Sequence, residues 1–480
     1  MKSSRSKLLH QLGGRSLLSW ALDAPLALRP ERLVVVVGHL RDQVEAHLDD
    51  IAPTAIRALQ DAPRGTGHAV RCGLAALDQV TGEIVVTYGD VPMLSGRTLG
   101  ELVATHRADG NAVTVLTAVL DDPAGYGRIV RRDGDGVVEQ IVEHLDADAE
   151  QLRIREINSG VYVFDAAVLR DGLEQLRADG AKQEILLTDM VAHARAGGRR
   201  VGAMVATDVW QTMGVNDRVQ LSQLNQEMNR RIVRDWMLAG VTVYDPATTW
   251  IDKSVSLSPD VELWPDTILR GATTVAEGAV IGPGTRLTDV EVGPGAQVTR
   301  SEATLAVIAA QATVGPFAYL RPGTELGPRG KIGAFVETKN ARLGDGAKVP
   351  HLTYCGDAVV GAGANIGAGT IFANYDGQQK LITTVGRQAF VGSDSVLVAP
   401  VEVADGAYVA AGSVITRGVG AGELAMARGR QRNLPGWVAQ KRPGSPAAAA
   451  ASAAVGRTAD DPADPRPDAV SDQTPDQSEE

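Results

Sequence analysis

Two architectures follow one another along this 480-residue chain: a doubly wound, Rossmann-like α/β layer, and then a parallel β-helix of hexapeptide repeats. Three observations predict them. Short aliphatic runs ending in Gly and a polar residue alternate with helical patterns up to residue 218. A six-residue aliphatic period takes over near residue 250 and persists to residue 437. Between the two lies one amphipathic segment with three- and four-residue apolar steps.

In the first part, Arg32-Leu33-Val34-Val35-Val36-Val37-Gly38-His39 and Glu83-Ile84-Val85-Val86-Thr87-Tyr88-Gly89-Asp90 are the clearest runs. Unbroken apolarity over about five residues suits a parallel strand covered on both faces. Leu99–Arg107 carries a helical pattern, so residues 1–218 are expected to form an α/β domain. Residues 219–239 place Leu221, Leu224, Met228, Ile232 and Trp236 on one stripe, which predicts a single connecting helix.

The period then changes. Leu257, Leu263, Leu269, Val275, Ile281 and Leu287 are six apart. So are Ile308, Val314, Leu320, Leu326 and Ile332, and later Val385, Val391, Leu397, Val403, Val409 and Ile415. Gly or Ala follows many of them. A sustained hexad fits neither a helix nor an ordinary strand. It fits a triangular coil in which each hexad is one flat side and its aliphatic residue points inward. Three hexads make a coil, so residues 250–437 allow on the order of ten coils at ~4.8 Å spacing, within a β-helix domain spanning 240–442. From residue 443 to 480 the chain is Ala, Pro, Asp and Ser, with eight acidic residues against Arg457 and Arg466, and disorder is expected there.

Composition narrows the function. A net charge of −11 gives no basic footprint for nucleic acid or an anionic membrane. Cys72 and Cys355 are the only cysteines, too few for a disulfide framework or a cysteine-rich metal site. Glycine accounts for 53 residues, well above the ~7% usual, as a turn-rich repeat requires. No apolar run reaches ~18 residues and no signal-peptide core opens the chain, so a cytoplasmic protein is expected.

Several strings stand in order along the chain: Arg64-Gly65-Thr66-Gly67-His68-Ala69, Tyr88-Gly89-Asp90-Val91-Pro92, Gly125-Tyr126-Gly127-Arg128, Ile141-Val142-Glu143-His144, Glu156-Ile157-Asn158-Ser159-Gly160 and Gly214-Val215-Asn216. The second half adds Leu320-Arg321-Pro322-Gly323, His351-Leu352-Thr353-Tyr354, Asn365-Ile366-Gly367-Ala368-Gly369-Thr370 and Asn374-Tyr375-Asp376-Gly377. Singly each is weak: an Asp after a strand also serves as a helix cap, and Gly65 with Gly67 is also a plain turn. The ordered set resembles the bacterial bifunctional N-acetylglucosamine-1-phosphate uridyltransferase / glucosamine-1-phosphate N-acetyltransferase family from Met1 to about Trp437.

The resemblance implies an α/β nucleotidyltransferase domain joined to a left-handed β-helix acetyltransferase. For uridylyl transfer it implies Mg2+ held by Asp90 and Asn216, Lys7 on the phosphates, and Gln60, Gly65 and Thr66 around the uracil. Tyr88, Gly89, Gly127, Glu143, Asn158 and Asn216 would contact N-acetylglucosamine-1-phosphate. Attack of a sugar phosphate on the α-phosphorus of UTP needs charge neutralisation and no protein nucleophile. Asp90 ends a strand, where ligands of open α/β sheets bind.

Acetyl transfer from acetyl-CoA to glucosamine-1-phosphate needs a base for the ammonium proton and donors for the oxyanion. Only His351 of the eight histidines lies in the hexad region, and it interrupts the repeat. By resemblance it is the general base, with Arg321 and Lys339 on the sugar phosphate and Tyr354 and Asn365 orienting the sugar. Ala368, Asn374, Tyr375, Ser393, Ala411 and Arg428 would hold acetyl-CoA. Cys355 could instead form an acyl-enzyme, but it stands six residues after Val349, in an inward slot where a thiol acts as apolar filler.

The resemblance further implies a homotrimer with the acetyl site between subunits, and a product, UDP-N-acetylglucosamine, that feeds peptidoglycan and other cell-wall polymers. One departure matters. The family begins with a strand and a Leu-Ala-Ala-Gly-x-Gly-Thr-Arg loop ahead of the Met-Lys-Ser that is Met1-Lys2-Ser3 here. The expectation is therefore a translation start upstream of Met1, and weak uridylyl transfer by the chain as given. Ser6 also replaces the usual Pro before Lys7. The runner-up reading is an acetyltransferase only; a nucleotide-sugar pyrophosphorylase with a structural β-helix is opposed by His351 and Asn374-Tyr375, and a non-enzymatic scaffold by Asp90, Asn158, Asn216 and His351 all being in place.

Overall fold

A computed structural model of the chain describes residues 1–132, 137–176 and 184–455. These fall into two compact units, Met1–Met426 and a second that begins at Ala427.

The first unit opens on an α/β layer. Its elements in order are α1 (Leu17–Ala27), β1 (Val34–Val37), α2 (Arg41–Ile51), β2 (Ile56–Leu59), α3 (Thr66–Ala75), β3 (Glu83–Val86), α4 (Gly96–Ala108), β4 (Val113–Val119), β5 (Arg128–Arg131), β6 (Val138–Val142), β7 (Glu156–Asp165), α5 (Ala166–Gln175), α6 (Asp189–Ala196) and β8 (Val201–Val205). Local chemistry sets the helix starts. The side chains of Ser16, Ser95 and Asp165 each accept a backbone N–H at the first turn of α1, α4 and α5.

The strand directions refine the all-parallel expectation. One sheet runs β8-β4-β7-β5-β6, with β3 also paired to β7. β8 and β4 are parallel, whereas β7 runs antiparallel to β3, β4 and β5. β1 and β2 form a separate parallel pair, Val34 to Val37 against Ile56 to Leu59. Helices link the two sheets. On α3, Gly73 faces Val34 and Val36 of β1, while Val70 and Leu74 share one apolar cluster with Ile84 and Val86 of β3. On α1, Leu18 and Leu22 share a cluster with Val37, and Ala24 shares one with Val85. Among the described residues β1 pairs only with β2 and β3 only with β7. Each keeps an unpaired edge, and for that reason their aliphatic residues are largely half-buried where the sequence predicts full cover.

The predicted connector is α7, Arg218–Leu238. Leu224, Met228 and Ile232 are buried on its inner face. Asn229 stitches it to the next element, donating to the Thr249 carbonyl at 2.8 Å and accepting from the Ile251 N–H at 3.1 Å.

From Thr242 to Ala425 the chain is a parallel β-helix. One face is an eleven-stranded parallel sheet, one strand per coil, beginning at Thr242–Val243 and ending at Leu424–Ala425. Register advances by three hexads: Glu262 pairs with Val280, Ile268 with Arg286, and Phe390 with Tyr408. All seventeen hexad positions named above are buried, none more than 6% exposed. Parallel stacking satisfies each coil's amides, while the inward aliphatics form one continuous core with α7.

The second unit holds α8 (Trp437–Lys441) and α9 (Pro446–Val455). Arg442 lies over the Trp437 ring at 5.4 Å. The stretch 446–455, read as disordered from its composition, is helical because alanine has the best intrinsic helix propensity and the Ser445 hydroxyl accepts the Ala448 N–H at 3.1 Å. The remainder of that predicted tail, 456–480, lies outside the described residues.

Candidate functional sites

The α/β layer gathers its motif residues at the ends of β3 and β7. Asp90 follows β3, and Lys7 starts a short 3-10 turn, Lys7–Leu9. Lys7 Nζ donates to Asp90 Oδ2 at 2.6 Å and to Asn216 Oδ1 at 3.4 Å. A carboxylate and an amide oxygen thus converge on one cation. Asn216 is held from behind, its N–H donating to Gln220 Oε1 at 2.7 Å.

Gly65 is the turn before α3, with φ at +96° and Ile185 O so close that no side chain could be added. Gly67 N–H donates to the Ile185 carbonyl at 2.8 Å, and the Thr66 hydroxyl accepts the Leu187 N–H at 3.0 Å. Gln60 Nε2 donates to the Gly65 carbonyl at 3.1 Å. Gln60, Gly65 and Thr66 therefore stand together. The Tyr88 side chain is hydrogen-bonded to Thr66 and packs where a Cβ on Gly160 would sit, with Gly160 at φ +81°. Burial pushes the Tyr88 phenol up to about 12, so it remains a neutral donor.

Gly127 and Asn158 are joined by the Asn158 N–H donating to the Gly127 carbonyl at 2.9 Å. Asn158 Oδ1 accepts from Tyr162 Oη and from the Gly160 N–H, both at 2.9 Å. A Cβ on Gly127 would lie 3.5 Å from Glu143 Oε2, and Thr188 Oγ1 donates to Glu143 Oε1 at 3.3 Å. Gly89 backs onto Leu8 and Leu18. The residues assigned by resemblance to the nucleotide and the sugar phosphate form one neighbourhood.

The second cluster lies on the β-helix. His351 ends the strand Lys348–His351, exposed on a corner, and its carbonyl accepts the Thr353 hydroxyl at 2.7 Å. Its imidazole makes no hydrogen bond to any described residue, leaving both nitrogens open to a ligand. Three residues on, Tyr354 Oη accepts from Asn374 Nδ2 at 3.4 Å. Arg321 donates to Glu337 Oε1 at 2.8 Å, and Glu337 is in register with Tyr354 on the next coil. Lys339 Nζ lies 3.3 and 3.4 Å from the two Asp357 oxygens. Asn365 is one coil beyond Lys348, in register with it.

Two residues that the sequence reading missed complete this cluster. Asp357 is buried and accepts from Asn340 Nδ2 at 2.8 Å and from Asn374 Nδ2 at 2.5 Å. Burial raises its pKa, but the hydrogen bonds from Asn340, Asn374 and Lys339 outweigh that and hold it below the usual carboxylate range. Lys380 stands beside Lys339, whose hydrogen bond and charge press its ammonium below the ordinary lysine value. Arg321, Lys339 and Lys380 thus face Glu337 and Asp357, three cations to two carboxylates. Signals for both existed. Asp357 is 17 positions from Asn340 and from Asn374, one coil either way. Lys380 lies where Asn374-Tyr375-Asp376-Gly377 breaks the hexads.

Ala368, Ser393 and Ala411 sit near one corner of successive coils. Asp394 N–H donates to the Ala368 carbonyl at 2.7 Å and Gly412 N–H to the Ser393 carbonyl at 2.8 Å. Tyr375 is exposed at the loop beside Asn374, its hydroxyl donating to the Gly377 carbonyl at 2.7 Å. Arg428 belongs to the second unit. Cys355 is fully buried, and desolvation pushes its thiol up to about 12, which leaves no thiolate for an acyl-enzyme.

Residues 1–193 match a family model described as the MobA-like NTP transferase domain. Full-length relatives cover both halves. The chain is 55% identical to a Streptomyces avermitilis protein named "Bifunctional protein GlmU" over 455 residues, 95% of this chain and 94% of that one. Proteins of the same name match from Paenarthrobacter aurescens, 56% identical over 95% of this chain and 92% of the relative, and from Mycobacterium bovis, 52% identical over 99% and 96%.

Proposed function

The chain belongs to the bifunctional GlmU family, and from that premise we propose how its two clusters divide the work. Its two activities are acetyl transfer to glucosamine-1-phosphate and uridylyl transfer to N-acetylglucosamine-1-phosphate. Because it covers 94% of the Streptomyces avermitilis relative, the acetyltransferase-only alternative is not favoured.

The β-helix cluster performs the acetyl step. Arg321, Lys339 and Lys380 bind the sugar phosphate, a dianion that an acidic protein holds only with several local cations. Tyr354 and Asn365 orient the sugar, and His351 takes the proton from the amine as its nitrogen attacks the thioester carbonyl. Collapse of the tetrahedral adduct breaks the C–S bond and releases CoA. Asn374 and Tyr375 flank the acetyl-CoA channel along Ala368, Ser393 and Ala411.

The α/β cluster performs the uridylyl step. A phosphate oxygen of N-acetylglucosamine-1-phosphate attacks the α-phosphorus of UTP and pyrophosphate leaves. Gln60, Gly65 and Thr66 frame the base; Tyr88, Gly89, Gly127, Glu143 and Asn158 hold the sugar. Asp90 and Asn216 would hold Mg2+, since both already offer oxygens to one cation, and hard oxygen ligands suit that ion. Bound there it would neutralise charge on the reacting phosphates. Lys7 adds its own charge as the phosphates arrive.

The observation that carries this reading is that motif residues scattered from Lys7 to Asn216 and from Arg321 to Ala411 gather into two separate neighbourhoods. The test is direct: pyrophosphate release from UTP and N-acetylglucosamine-1-phosphate with Mg2+, and thiol release from acetyl-CoA with glucosamine-1-phosphate. Turnover in both assays supports it; absence of the second in a folded protein overturns it.

We read the exposed corner formed by Phe317, Phe335 and Leu352 as the subunit contact of a homotrimer. These residues are 52%, 61% and 60% exposed, and the two rings stack at 5.4 Å, next to His351. A site between subunits follows from that position. No described helix is long and apolar enough to cross a membrane; from the substrates, UTP and acetyl-CoA, we infer a cytoplasmic enzyme.

A further inference from the structure

A third cluster lies outside both sites. Asp61, His68 and Cys72 bring one ligand atom each within 4.8 Å of one another. His68 and Cys72 are four apart on α3 and share a face; Asp61 comes from the loop before it. His68 Nε2 lies 3.6 Å from Cys72 Sγ and 3.6 Å from Asp61 Oδ1. In a tetrahedral zinc site, bonds of ~2.0–2.3 Å place neighbouring ligand atoms about 3.3–3.7 Å apart. The imidazole is more than nine-tenths buried, with Nε2 aimed at both other ligands.

We propose that Asp61, His68 and Cys72 form a binding site for a borderline-soft divalent cation of the zinc type. The donor set is mixed N, S and O, which selects zinc-like ions and not the magnesium of the uridylyl step. Three ligands leave a fourth position for water. One carboxylate and one thiolate balance the dication. Cys72 Sγ gives up its proton to solvent on binding, so one proton is released per ion at neutral pH. Arg64, with NH2 3.9 Å from Asp61 Oδ2, is the competing cation.

The site reaches the nucleotide pocket through Gln60, a consequence that rests on the uracil assignment proposed above. Gln60 Nε2 contacts His68 Nδ1 at 3.3 Å while donating to the Gly65 carbonyl. A metal on Nε2 leaves the neutral ring protonated at Nδ1, which must donate. Gln60 Nε2 cannot accept, so the amide turns its oxygen to His68 and releases Gly65. Metal binding thereby loosens the expected uracil frame and raises KM for UTP.

The test uses the full chain, stripped of metal, and needs no nucleotide for its first part. Cys355 is fully buried, so a thiol-reactive aromatic disulfide reports Cys72. One equivalent of Zn2+, measured against a chromophoric chelator, is expected to bind and to slow Cys72 modification at least ~10-fold; Co2+ is expected to give a thiolate charge-transfer band. Cys72→Ser and Asp61→Asn should each weaken binding at least ~10-fold, the scale at which even outer-shell losses act. Unchanged Cys72 reactivity with Zn2+, or full affinity in both variants, overturns the site. With binding established, a UTP KM that rises with Zn2+ in the parent but not in Cys72→Ser supports the coupling; an unmoved KM overturns that coupling. Failure of the uracil assignment itself reads separately, as a Gln60→Ala variant with unchanged KM in the absence of Zn2+.

Discussion

Lys7 Nζ sits 2.6 Å from Asp90 Oδ2, with Asn216 Oδ1 3.4 Å away, so groups up to 209 positions apart meet at one point. In the proposed uridylyl step the carboxylate holds the ammonium where negative charge develops. Lys7→Ala should therefore lower uridylyl kcat by roughly 10²-fold, the usual cost of one charge-stabilising donor, and leave acetyl transfer unchanged. A uridylyl rate equal to the parent's would show that the ammonium only neutralises Asp90.

No described residue hydrogen-bonds the imidazole of His351, the proposed base. His351→Ala should lower acetyl kcat by roughly 10²–10⁴-fold with uridylyl turnover intact. Thiol release from acetyl-CoA reads this directly. A loss confined to KM would reassign His351 to binding.

Cys355 is core. Cys355→Ala should leave the acetyl rate nearly intact and cost about 0.5–1.5 kcal/mol of stability, like the loss of one buried methyl group. A rate collapse beyond ~10³-fold would restore the acyl-enzyme.

Asp357 ties Lys339, Asn340 and Asn374 across three coils. Its folded pKa lies below the unfolded value of ~3.9. A depressed carboxylate contributes stability that is present above the unfolded pKa and lost as pH falls through the folded one. Asp357→Asn places an amide N–H among donors and should cost about 1–3 kcal/mol at neutral pH. The gap between parent and variant urea midpoints should narrow below pH ~3.9. A gap independent of pH would contradict the charge-based account.

The unpaired edges of β1 and β3 concern the first site alone. A chain extended at its N-terminus by a β-forming run and a glycine-rich turn should fill them and raise the uridylyl rate at least ~10-fold, because such turns offer backbone N–H groups to phosphates. Acetyl transfer should not change. Equal uridylyl rates in both chains would mean the edges are not where the phosphates are held.

The hexads were legible because inward burial depends only on local period. Leu263, Val314 and Val391 each fall in the core from a spacing of six. What pairs across coils was harder to read: Asp357 meets Asn340 and Asn374 through register, and nothing adjacent to Gly356-Asp357 announces a buried carboxylate. In the α/β layer the strands themselves were legible, but their partners were not. Glu83–Val86 reads as a parallel strand, yet its ladder is the antiparallel one with β7, since pairing is decided by tertiary placement. Lys380 escaped because its role comes from a neighbour, Lys339, forty-one positions earlier.

The central claim is that one chain carries two chemically independent sites. Its most direct test assays both reactions in Asp90→Asn and in His351→Ala. The account predicts that Asp90→Asn loses pyrophosphate release but keeps thiol release, and that His351→Ala does the reverse. A single substitution that abolishes both reactions in a folded protein, or neither substitution affecting its own reaction, would contradict it.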